Sequence, residues 1–253
     1  MSAAQRIASS FPKSLANKEL VSKVSSGLSK LGFSGQNTLL ATSLCCDELS
    51  RPLEQDFGKV YGNHFSMGGL AGFPFGGVTS FGAMAAHIPD EGNCLVVFAP
   101  HVGVSSTGEV GTVEREGRVN GGSCCGSACA ACNYVLGVHC GECSPQSETI
   151  ANPQDAVDAQ QAMVGNLLMP YAQQLNDAEE TMVELPMSLY KAQKEMMSSI
   201  LEKGASNVAD PGKIVVVGGI QINTPPNESD YFMPLQFDLY DNQGEKQDDL
   251  LWA

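Results

Sequence analysis

The sequence predicts an α/β fold: a mostly parallel central sheet flanked by helices, extended by an antiparallel strand near the C-terminus. Three observations carry that reading. Two apolar, β-branched runs, at residues 38–44 and in CLVVFAPHVGV from Cys94, flank the short helical stretch VTSFGAMAAHIP, which is the order of a parallel strand–helix–strand unit. A third run, KIVVVGGIQIN, is apolar on both faces, as a buried central strand must be. Finally, YFMPLQFDLYDNQGE alternates Met233, Leu235, Phe237 and Leu239 against Pro234, Gln236 and Asp238, the pattern of a strand with one wet face.

The elements follow in order. The first 36 residues hold five basic groups against one acid, Glu19. Leu15, Leu20, Val21, Val24, Leu28 and Leu31 fall close to helical spacing there, which predicts an amphipathic helix that packs rather than a targeting peptide. After the first strand, ELSRPLEQDF reads as a polar segment, and YGNHFSMGGLAGFPFGG carries six glycines among seventeen residues, so backbone can approach backbone or ligand closely. SSTGEVGTVEREGRVNGG reads as loop and SCCGSACAACNYVLG as a helix of small residues. Val157, Met163, Val164, Leu167, Leu168, Tyr171 and Leu175 make one helical stripe, and a second helix runs from about residue 178 to 203 across Pro186. No internal repeat or low-complexity linker divides the chain, and one domain over residues 1–253 is expected, with a helical N-terminal segment at 1–36.

Charge narrows the partners. Fourteen basic against twenty-eight acidic residues give a formal charge of −14, which repels nucleic acid and anionic membrane surfaces. No apolar run approaches the roughly 20 residues of a membrane-spanning helix. The partner expected is small, or another protein. Nine cysteines, an odd number with two CC doublets, argue against a secreted disulfide framework and for a reducing compartment where thiolates serve metals or catalysis.

Ligands of open parallel sheets collect at the carboxyl ends of strands. That rule selects Cys45 and His101 and sets aside His87, which closes a helix at the opposite edge; His64, in the glycine-rich loop, is left at the border of the pocket. Cys45, His101 and one of Cys124 or Cys125 would suit zinc, with the fourth tetrahedral position open as in a catalytic site. Asp47 and Arg51 lie four apart at the expected start of a helix, so they are expected to form a charge-assisted pair beside the metal. Two other readings stand beside this one. Cys129, Cys132, Cys140 and Cys143 form two CxxC pairs that would suit a structural zinc, although only seven residues separate them. A cysteine nucleophile with His101 as its base is the second. A phosphate-binding loop is disfavoured, because the glycine-rich stretch lacks both GxxxxGK[ST] and GxGxxG.

LCCDELSR, YGNHFSMGGLAGFPFGG, LVVFAPHVGV, GGSCCGSA and GGIQINTP together resemble the limiting-CO2-inducible protein family of algae, also called theta-class carbonic anhydrases, from about residue 15 to the end. That family is similar in fold and zinc site to the beta-class carbonic anhydrases, so the resemblance implies a beta-carbonic-anhydrase-like sheet. It also implies Zn2+ on Cys45, His101 and Cys125, with Asp47 orienting the water and Arg51 holding Asp47. Cys125, which precedes Gly126, matches the family's second cysteine better than Cys124 does. The Arg is displaced: the beta-class CxDxR pattern puts it two residues after the Asp, here it is four. The implied reaction is interconversion of CO2 and bicarbonate, with Phe65, Phe73 and Phe75 suited to line the CO2 pocket. The resemblance further implies a homodimer and a chloroplast location, in the stroma or pyrenoid region. A catalytically silent scaffold or CO2/bicarbonate-sensing subunit with the same zinc is the competing expectation.

Overall fold

The computed structural model describes residues 1–145 and 155–252. The N-terminal segment is two helices rather than one. Ser2 and Gln5 form a reciprocal cap on α1 (Ala3–Ser10), which is followed by a two-residue strand, β1 (Leu15–Ala16), and α2 (Asn17–Ser29). Leu20, Val21, Val24 and Leu28 are the buried stripe of α2. Leu15 belongs to β1 instead, and Leu31 lies beyond the helix, exposed.

The central sheet contains β2 (Thr38–Ser43), β3 (His64–Ser66), β4 (Asn93–Phe98), β5 (His101–Gly103), β8 (Ile214–Asn223), β9 (Tyr231–Tyr240) and β10 (Lys246–Asp249). Its order is β1-β9-β8-β4-β2-β3, with β10 on β9 and β5 on β8. The β3, β2, β4, β5 and β8 pairings are parallel, while β9 runs antiparallel to β8, β1 and β10. CLVVFAPHVGV is therefore two strands, not one. Pro100 lacks the N–H a continuous ladder needs, and its carbonyl accepts from Gln221 N–H at 3.0 Å where β5 begins.

ELSRPLEQDF is a 3-10 turn (Glu48–Ser50) followed by α3 (Arg51–Tyr61). Pro52 sits in the first turn of α3, where its missing N–H costs nothing, and Leu53, Phe57 and Tyr61 recur every four residues as its buried face. α4 (Gly77–Ala85) precedes β4 as expected. The loop at 104–123 holds a small hairpin of β6 (Thr112–Val113) and β7 (Gly122–Ser123), and α5 (Gly126–His139) follows. The stripe from Val157 is broken by Pro170 into α6 (Ala159–Leu168) and α7 (Ala172–Asp177); Val164, Leu168 and Leu175 are buried, while Val157 is solvent-exposed. α8 (Thr181–Gly204) runs through Pro186. Among the described residues no helix is long and apolar enough to cross a membrane.

Helices cover both faces of the sheet. α4 and α8 bury Phe81, Met84, Met197 and Ile200 against one face; α2 and α3 bury Leu20, Leu28, Leu53 and Phe57 against the other. A third apolar cluster joins α5–α8 to Ala71 and Phe73 of the glycine-rich loop, and it contains Cys45 and Cys125.

β9 does not have a wet face. Leu235 is an extra residue between Pro234, which faces Gly219, and Gln236, which faces Gly218. This bulge inverts the alternation: Met233 and Leu235 pack with the α4/α8 core, and Phe237 and Leu239 with the α2/α3 core. Gln236 and Asp238 are buried, and the Asp238 carboxylate accepts from Gln236 Nε2 at 2.8 Å and from Tyr240 Oη at 3.2 Å while pairing with Lys246 at 2.7 Å.

Candidate metal centre

Three segments distant in sequence converge beyond the carboxyl ends of β2 and β4. Cys45 lies two residues past β2, His101 opens β5, and Cys125 is the N-cap residue of α5. Their side-chain donor atoms all lie within 4.8 Å of one another, and Cys45, His101 and Cys125 are 3%, 2% and 4% exposed. The two sulfurs are 3.9 Å apart. Two sulfurs bound at ~2.3 Å to one tetrahedral ion would be ~3.8 Å apart, so the thiol pair fits such an ion.

The imidazole fits as well. His101 Nδ1 is 2.9 Å from Asn223 Oδ1, while Nε2 is buried and has no hydrogen-bond partner. A buried ring nitrogen left unpartnered beside two thiols is a ligand's arrangement. Cys45 alone holds its proton tightly: the hydrogen bond with Cys125, then burial, push it up to about 12. A divalent cation reverses that balance, since thiols bind metal as thiolates. Cys125 at the head of a fourteen-residue helix has the positive end of the dipole behind it.

Cys124 faces the other side of the ring. Its Sγ is 3.4 Å from His101 Nδ1 and 3.6 Å from Asn223 Oδ1. This contact does not make a nucleophile–base pair, because Nδ1 is already held by Asn223 and Cys124 is 1% exposed.

The glycine-rich loop lies flat on the strand ends. A Cβ at Gly68 would sit 2.0 Å from the Leu44 carbonyl oxygen, and one at Gly72, whose φ is +86°, 2.3 Å from that of Ala99. The loop thereby places Phe73, stacked on Phe75 with ring centroids 5.4 Å apart, in the apolar cluster that holds Cys45 and Cys125. Phe65 is not part of this wall; it packs with the α4/α8 core beside His87.

The expected Asp47–Arg51 pair does not form. Asp47 is extended and precedes a 3-10 turn, so it shares no helix face with Arg51, which opens α3. Arg51 turns the other way. Its Nη2 donates to the Cys45 carbonyl at 2.6 Å and its Nη1 pairs with buried Glu54 at 2.6 Å. Glu54 also accepts from Thr42 Oγ1 at 2.9 Å and faces His64 Nε2 at 3.4 Å. Arg51, Glu54, Lys59 and His64 line a separate cavity of about 490 Å3, so His64 does not border the thiols.

The cation on Asp47 is Arg115, from the β6–β7 hairpin. Its Nη2 is 3.2 Å from Asp47 Oδ2, its Nε 3.0 Å from Glu48 Oε1, and its Nη1 donates to the Ser123 carbonyl at 3.4 Å. Burial works to raise the Asp47 carboxyl, but the Leu49 N–H at 3.0 Å, the Glu48 side chain, His101 and Arg115 together hold it below the ordinary aspartate range. Nothing local in the sequence ties Arg115 to Asp47, sixty-eight residues away. Asn223 had a signal that went unused: it closes the run KIVVVGGIQIN, at the carboxyl end of a strand, where the rule that selects Cys45 and His101 also points.

The two CxxC pairs do not assemble. Cys132 is buried in the core under α5, while Cys140 and Cys143 are exposed beyond its end. Among the described residues, Cys45, His101 and Cys125 are the one group placed to hold a metal.

A largely parallel α/β sheet with a buried Cys–His–Cys group at its carboxyl ends is the architecture of a beta-carbonic-anhydrase-like protein. Residues 14–241 match the family of limiting CO2-inducible proteins B/C beta carbonic anhydrases, and the chain belongs to that family. It is similar to the crystal structure of PtLCIB4, a homolog of the limiting CO2-inducible protein LCIB, with 50% identity over 98% of this chain and 100% of that one and a TM-score of 0.92. A variant of PtLCIB4 aligns at 49% identity over 98% of both chains, with a TM-score of 0.91. LCIB itself shares the fold at 21% identity, over 96% of this chain and 97% of that one, with a TM-score of 0.73. A search of curated proteins found no match.

Proposed function

We propose that this chain is a zinc-dependent carbonic anhydrase that interconverts CO2 and bicarbonate. The observation that carries the reading is the buried group of Cys45, His101 and Cys125, with His101 Nε2 unpartnered beside two sulfurs 3.9 Å apart. Those three residues would hold the ion, and zinc bound there would supply Lewis acidity that brings a water from a pKa of about 15.7 toward about 7. Asp47, ionised at neutral pH, would accept a hydrogen bond from the attacking water and aim its lone pair. Arg115 keeps that carboxylate charged and fixed. Phe73 gives CO2 an apolar wall.

Stopped-flow CO2 hydration with a pH dye, before and after zinc removal and readdition, tests this. Zinc-dependent hydration is expected. Folded, zinc-loaded protein without hydration would shift the reading to a silent scaffold or CO2/bicarbonate-sensing subunit. The proposal extends, on the family resemblance, to a homodimer and to inorganic-carbon concentration in the chloroplast. Solution mass and cellular imaging test those two parts.

A further inference from the structure

We propose that Asn223 is the positioning residue of the centre: one side-chain amide fixes the tautomer of His101 and the location of the turn that carries Asp47. The inference rests on the metal-centre reading above. Asn223 closes β8 and is fully buried. Its Nδ2 is 2.9 Å from the Leu49 carbonyl and 3.2 Å from Asp230 Oδ2, and its Oδ1 is 2.9 Å from His101 Nδ1.

The donor and acceptor roles follow without ambiguity. A backbone carbonyl can only accept, so the amide nitrogen, not its oxygen, must face Leu49. That leaves the amide oxygen toward His101. An amide oxygen can only accept, so His101 Nδ1 must carry a proton, and the neutral form that binds a metal is the one with its lone pair on Nε2, toward the thiols. Asp230 holds the amide from behind, anchored by the Thr224 N–H at 2.9 Å.

The other arm of the amide reaches the carboxylate. Leu49 accepts from Asn223 through its carbonyl and donates its own N–H to Asp47 Oδ1 at 3.0 Å. Gln221 Nε2 adds a second bond to the same carbonyl at 2.9 Å. One residue therefore joins a metal ligand to the group that would orient the water.

The test reads zinc affinity by competition with a chelator, and the His101 ring nitrogens by long-range 1H–15N correlation. In the zinc-loaded wild-type chain, zinc on Nε2 and a slowly exchanging proton on Nδ1 are expected; zinc on Nδ1 would overturn the inference, and this arm needs no variant to fold. Asn223→Leu, of similar volume, is expected to lose affinity about 10- to 100-fold and to release the Nδ1 proton to fast exchange. The exchange pair Asn223→Asp with Asp230→Asn keeps an acceptor on His101 Nδ1 but turns a carboxylate oxygen toward the Leu49 carbonyl in place of the Nδ2 donor, so it is expected to keep the slowly exchanging Nδ1 proton that Asn223→Leu loses. Wild-type affinity in Asn223→Leu, or an Nδ1 proton that exchanges as fast in the exchange pair as in Asn223→Leu, would sink the inference while leaving the centre intact. No zinc uptake by the wild-type chain would sink the metal centre itself, and the inference with it.

Discussion

Two groups of cysteines in this chain differ both in sequence pattern and in what the fold makes of them. Cys129, Cys132, Cys140 and Cys143 have the local CxxC spacing that signals a metal, yet α5 sends Cys132 into the core and leaves Cys140 and Cys143 outside. Cys45 and Cys125 have no local pattern, being eighty residues apart, and meet at 3.9 Å. α5 and the turn beyond it spread the two CxxC pairs along one element, whereas the carboxyl end of β2 and the N-terminus of α5 meet at one edge of the sheet and bring distant thiols together. Convergence at strand ends, more than spacing along the chain, marks the centre.

The sharpest way to break the comparison is to remove one thiol from each group. Cys45→Ala or Cys125→Ala is expected to abolish stoichiometric zinc, measured by elemental analysis after dialysis, while Cys140→Ala/Cys143→Ala keeps it. Equal losses from both groups would erase the distinction. Next in size, Asp47→Asn is expected to lower hydration by about 10²-fold with zinc still bound, within the range for a lost acid–base group. Full activity in that variant would remove Asp47 from the mechanism.

The third prediction separates two arginines. Arg115→Ala removes the guanidinium that fixes the Asp47 carboxylate, so hydration at neutral pH is expected to fall with zinc still bound. Arg51→Ala should leave that rate in place and instead destabilise the fold by roughly 1–3 kcal/mol, read by denaturant melts, because buried Glu54 loses its partner. A rate that falls only in Arg51→Ala would restore the pairing that the sequence led us to expect. The smallest effect concerns stability alone. The folded Asp47 pKa lies below its unfolded value of about 3.9, so the stability it contributes is full above that value and is lost as pH falls through the folded pKa. Asp47→Asn should flatten that part of a melting curve against pH.

Much of the sheet was legible because burial writes itself into composition. KIVVVGGIQIN is buried at every position of β8, and the parallel unit around α4 follows from the order of the runs. The rest was hidden for identifiable reasons. The start of α3 was misplaced: the helix was expected from Asp47, but it opens at Arg51 with Pro52 in its first turn. Cys45 and His101 could be chosen from strand ends and Cys125 from the family resemblance, but the partner of Asp47 could not be chosen from either. Four residues imply one helix face only if the chain is helical throughout, and a 3-10 turn stands between Asp47 and Arg51. Arg115 reaches Asp47 through a hairpin of two-residue strands, too short to leave a periodic trace.

The unpaired Leu235 gives β9 an unusual tolerance profile. Deleting a single residue from a surface loop is ordinarily mild, but here removal of Leu235 would straighten the ladder and leave one half of the strand inside out. Either Tyr231 and Met233, or Phe237 and Leu239, would then face the wrong core. Point substitutions along β9 act on one core at a time, whereas a one-codon deletion acts on both. The length of this strand is thus under tighter control than its composition.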